Sequence, residues 1–128
     1  MIPTSVTVFG ICNLVLGGVC LLLLLLMLAT AAFGFSYSGD PPEDIVAGVI
    51  GTLFLGGLFA FGAALYLIAA VGLFKGAKWG YYAHLAAAAA TALSCVGIVY
   101  TVVALLICTQ GDFKQHFFDS ERILEHFT

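Results

Sequence analysis

Three long apolar runs, two polar interruptions and a tail of alternating character divide this chain. The first run extends from about Pro3 to Phe35 around the block LLLLLLML, and Pro3 with Thr4 suits a helix start. A helix of roughly 30 residues is about 45 Å long against a bilayer hydrocarbon core of about 30 Å, so this run predicts a span that tilts or projects into the interface. The stretch SYSGDPPED at 36–44 collects turn formers and three carboxylates, and predicts an extramembrane loop. Within it Pro42, Glu43 and Asp44 suit the first turn of the next helix, where carboxylates meet the positive end of the dipole. The second run, about Ile45 to Phe74, and the third, about Lys78 to Thr109, predict two further spans. Gly97 separates an alanine-rich half of the third run from a β-branched half and predicts a mild bend without a break. From 112 to 127 the apolar residues Phe113, Phe117, Leu124 and Phe127 return at helical spacing, which predicts an amphipathic helix lying on the membrane or on protein.

Composition turns this pattern into a class. Of 128 residues 62% are hydrophobic and 9% charged, far below the roughly 25% charged residues of soluble domains. The expected fold is all-α: a single integral-membrane domain of three helices, with spans at about 3–35, 45–74 and 78–109 and an amphipathic C-terminal helix. A formal net charge of −3 leaves no basic patch for nucleic acid, and no phosphate-binding Gly-rich loop with a following Lys-Ser/Thr occurs. Cys12, Cys20, Cys95 and Cys108 lie in or at the ends of apolar runs, where they read as small buried thiols.

The second and third runs carry small residues at helical spacing. Gly48, Thr52, Gly56, Ala60 and Ala64 recur at every fourth position, and Ala83, Ala87, Thr91 and Cys95 do the same in the third run. Such ladders let backbones approach closely in lipid, so the two runs are expected to form an antiparallel hairpin or to pack against other copies.

Between them lies GLFKGAKWGYY, residues 72–82. Lys75 and Lys78 are costly at a helix centre, and Trp79, Tyr81 and Tyr82 favour the headgroup level, so all five are expected to anchor the turn at a membrane surface. Positive-inside counting sets these lysines against a loop with three carboxylates and no cation. It places the N-terminus and the turn in the cytoplasm, and the 36–44 loop and C-terminal tail on the opposite side.

Chemistry at membrane depth is sparse. The first and second runs hold no Asp, Glu, Lys, Arg or His, so the ionisable residue of a pump or transporter is missing and no enzyme, metal site or cofactor is expected. His84 stands apart: it is the candidate ligand for a pigment or haem, or else a hydrogen-bonding residue near Tyr81 or a neighbouring helix. Asn13 is the corresponding lone amide of the first run, expected to bond across a helix interface.

The order of parts, a second span ending in the basic-aromatic turn from Phe74 to Tyr82 and a third carrying Gly97-Ile98-Val99-Tyr100 before a tail with Phe113, Lys114 and Phe117, resembles small bacterial multi-span membrane proteins of uncharacterised function. The resemblance implies a bacterial inner membrane and supplies no activity. The expected role is therefore a structural or accessory subunit that packs against other membrane proteins or copies of itself in the lipid bilayer. Alternatives are an oligomeric channel or carrier lined by Thr52, Thr91, Ser94 and Thr101, and a pigment- or lipid-binding subunit.

Overall fold

The computed structural model describes residues 2–37, 39, 41–94 and 97–127, with side chains for all of these except 37 and 120–127. The described residues form five helices: α1 Thr4–Tyr37, α2 Pro42–Lys75, α3 Lys78–Thr91, α4 Gly97–Cys108 and α5 Gly111–Phe127. The fold is all-helical as the apolar periodicity predicts, and two helices, α1 and α2, are long and apolar enough to cross a membrane. Each has 34 residues, about 51 Å at 1.5 Å per residue.

These two helices form an antiparallel pair. A Cβ placed on Gly17 would lie 2.9 Å from Leu67 Cγ, one on Gly56 would lie 3.0 Å from Met27 Cε, and one on Gly48 would lie 3.1 Å from the Phe35 ring. Val6, Gly10, Asn13, Gly17, Cys20, Leu24, Met27 and Ala31 form one buried or half-buried stripe along α1, with Phe9 buried beside it. Their steps of four and three alternate, the 3.5-residue period that keeps one stripe against a partner helix. On α2 the seam includes Gly48, Thr52 and Gly56 and then shifts to Phe59, Ala63, Tyr66, Ala70 and Leu73, leaving Ala60 and Ala64 exposed. The strict four-residue ladder departs from the seam because four residues turn a helix by about 400°, so each step drifts by about 40°. The glycines of the ladder meet α1, whereas the sequence pattern assigned that surface to the third run.

The third run differs most from expectation. The single span expected over 78–109 is two antiparallel helices, α3 of 14 residues and α4 of 12, separated by a break after Thr91. Tyr81 Oη donates to the Cys108 carbonyl at 3.1 Å, Thr101 Oγ1 donates to the Ala88 carbonyl at 2.6 Å, and Gly97 lies against the Thr91 backbone, so the two ends and the tip are in register. The tip supplies its own capping: Ser94 Oγ donates to the Thr91 carbonyl at 2.8 Å and accepts from Gly97 N–H at 3.2 Å. A Cβ on Gly97 would collide with the Thr91 carbonyl, which is why glycine stands where the chain reverses. At about 21 and 18 Å, neither α3 nor α4 reaches across a 30 Å hydrocarbon core.

This reversal returns the chain to the end from which α3 starts. There the path bends by 66° into the helix Gly111–Asp119 of α5. Phe113 and Phe117 are buried against Tyr81, with ring centroids 6.1 and 5.8 Å away, and a Cβ on Gly76 would lie 3.2 Å from His116 Nε2. The tail therefore sits at the same end of the helix pair as the Lys75–Lys78 turn. The expectation that it emerges opposite the turn assumed a complete third crossing, which the hairpin replaces.

Candidate functional site

The α3–α4 hairpin and α5 pack against one side of the α1–α2 pair in its half nearest the turn, and a polar pair is buried in that contact. Gly72 and Gly80 bring α2 and α3 into backbone contact, and Tyr66, Ala69 and Ala87 continue the packing above them. The close approach carries His84, one turn beyond Gly80, into the interior against α1. There Asn13 Nδ2 donates to His84 Nδ1 at 2.8 Å, and neither side chain has any exposed surface. An amide donor at Nδ1 leaves the imidazole neutral with its proton on Nε2. Phe9 and Phe113 enclose the ring, with centroids 4.7 and 6.4 Å from it.

Three buried polar atoms around this pair have no hydrogen-bond partner among the described residues: Asn13 Oδ1, His84 Nε2 and the Tyr100 hydroxyl. Each orphaned atom costs about 1–3 kcal/mol. The arrangement pins α1 to α3 at one register. Among the described residues no group of three or more His, Cys, Asp or Glu side chains is placed to hold a metal. With Nδ1 occupied by the Asn13 amide, a pigment or haem could be ligated only through Nε2, which is buried.

The other candidate residues fall into three places. Ala87 is buried in the α2–α3 contact, Ala83 is half-buried beside it, and Thr91 is half-buried with its hydroxyl 2.6 Å from Tyr66 Oη. Cys95 lies outside the described residues. Among the expected anchors, Trp79 and Tyr82 are exposed and Lys78 Nζ stands 5.5 Å from the Phe118 ring centre. Tyr81 differs from these two in being buried: its hydroxyl donates to the Cys108 carbonyl and its ring packs against Phe113 and Phe117.

The hydroxyls proposed as a channel lining are turned to the backbone. Thr101 Oγ1 donates to Ala88 O and lies 2.9 Å from Gly97 O, Thr91 Oγ1 bonds Ala87 O at 2.7 Å, and Ser94 caps the hairpin tip. Thr52 sits on the α1 seam.

Lys75, Lys78 and Lys114 all lie at the turn end, where Asp112 and Asp119 also stand, while Glu43 and Asp44 begin α2 at the far end. In the sequence, Asn13 and His84 stand as separate lone polar residues. The usable signal is that each is the one strongly polar side chain in the interior of its apolar run, so each is the natural partner of the other. The chain matches no family model, no curated protein and no solved structure.

Proposed function

We propose that this chain is an accessory subunit of a bacterial inner-membrane assembly that acts by packing its helices against a protein neighbour. The observation that carries this reading is the uncovered tip of the α3–α4 hairpin, where Leu93 is 91% exposed. Thr91 at the top of α3 bonds Tyr66, nine residues before Lys75, which is about 14 Å along α2. With Lys75 at the membrane surface, the break in the helix falls near the middle of a hydrocarbon core of about 30 Å. Non-helical backbone at that depth persists where protein or a water-filled cavity covers it. Among the described residues there, Leu93, Ile98 and Val99 are large, apolar and exposed, which favours a protein neighbour over water.

Charge supports a single orientation. Three described lysines lie at the turn end and no cation lies in the 36–44 loop, so the positive-inside rule places N-terminus, turn, hairpin base and tail together in the cytoplasm. A photo-crosslinking amino acid at position 93, activated in native membranes, tests the role. The expected product is a discrete protein adduct whose mass tells a second copy from another protein. Adducts to lipid alone would overturn the proposal.

A further inference from the structure

We infer that the groove at the turn end, between the start of α1, the C-terminus of α2 and the middle of α5, binds the phosphate of an anionic lipid. This rests on the membrane reading above and not on the accessory role. The groove is about 220 Å³ and is lined by Ile2, Phe74, Lys75, Gly76 and His116. Lys75 and His116 supply nitrogen donors, and among the described residues no carboxylate lines the groove. Ile2 and Phe74, 52% and 43% exposed, supply an apolar wall continuous with the outer faces of α1 and α2.

Gly76 makes the groove. Its backbone is left-handed, with φ of 63°, and closes α2 by donating to Leu73 O, while Ala77 N–H donates to Gly72 O. The carbonyl end of a helix opposes an anion, but two of these carbonyls are already taken by the cap. The absence of a Cβ also admits the His116 ring, which a methyl at Gly76 would meet at 3.2 Å from Nε2. His116 is held edge-on to Phe117, ring centres 5.1 Å apart, and Phe117 is buried in the base of the bundle.

Charge selects this groove over its larger neighbour. The groove lined by Gly111, Lys114, Gln115, Phe118 and Asp119 holds a carboxylate as well as a lysine. Among the described residues the Lys75 groove has no such offset. Its position at the end that carries Trp79 and Tyr82 matches headgroup level, where anionic inner-leaflet lipids attract cations. A free phosphate would have no use for the apolar wall.

The test is native mass spectrometry of the full-length chain, released from nanodiscs containing equal amounts of phosphatidylglycerol and phosphatidylcholine. Wild type is expected to retain phosphatidylglycerol severalfold over phosphatidylcholine. Lys75→Gln and His116→Phe each bring that ratio close to parity, while Lys114→Gln leaves it unchanged and millimolar inorganic phosphate does not displace the lipid. Equal retention of the two lipids by wild type, equal loss in Lys114→Gln, or displacement by free phosphate would each overturn the site. Circular dichroism checks that the variants fold; should His116→Phe unfold, the comparison of Lys75→Gln with Lys114→Gln decides alone. A failed crosslink at position 93 leaves this result untouched, so the two proposals fail separately.

Discussion

Asn13 and His84 are the only polar side chains among the described residues with no exposure at all, and they face each other across 71 positions of sequence. Removing one partner leaves the other buried and unpaired, whereas replacing both with apolar groups removes the need. Asn13→Leu is therefore expected to destabilise the protein by about 1–3 kcal/mol in a denaturation titration in mixed micelles. The double variant with His84→Leu is expected to lose less than the sum of the two single changes, with a coupling of about 0.6–1.7 kcal/mol. Additive losses would show that the pair does not act as a unit. Gly80 makes a second residue-scale case. A methyl there would run into the Gly72 backbone, so Gly80→Ala is expected to cost at least about 1–3 kcal/mol by the same titration.

At the scale of elements, the long helix pair and the short hairpin use small residues differently. Gly56 faces Met27 of the same chain, while Ala60 and Ala64 point outward. Gly56→Leu is thus expected to lower the stability of the isolated chain. Ala60→Leu with Ala64→Leu is expected to leave that stability within about 0.5 kcal/mol, as surface substitutions do. A matching loss in both, measured by the same unfolding assay, would contradict the seam described for α1 and α2. In the hairpin, Thr101 joins α4 to α3 through the Ala88 carbonyl. Thr101→Val keeps the shape and removes the donor, and a loss of about 1 kcal/mol is expected. No change would mean that apolar contacts alone hold the hairpin closed.

For the whole molecule, the consequential feature is that the chain enters the lower half of the bundle and returns. Hairpin base, tail and turn share one end, and α5 seals that end with Phe113 and Phe117. Topology follows from it and is open to direct measurement. With the four native cysteines replaced by alanine, a cysteine at Gln115 and one at Ala77 are expected to react with an impermeant maleimide from the same side of sealed vesicles. One at Gly39 reacts from the other side. Labelling of positions 115 and 77 from opposite sides would restore a complete third crossing and remove the hairpin.

The apolar pattern by itself determined that the chain is helical, where its two long apolar helices lie, that its tail is amphipathic, and that the Lys75–Lys78 turn breaks two apolar stretches. Those properties follow from local periodicity and from the exclusion of charge from hydrocarbon, both of which act on neighbouring residues. The fate of the third run was not legible, because a run of about 30 apolar residues serves equally as one span or as two half-length helices. Only the tertiary structure decided between them, through contacts far apart in sequence: Tyr81 with Cys108, Thr101 with Ala88, and Gly97 against Thr91. The same holds for the pairing of Asn13 with His84 and for the burial of Tyr81, since hydrogen-bond partners and ring contacts are set by where the helices cross and not by the residues beside them in the chain.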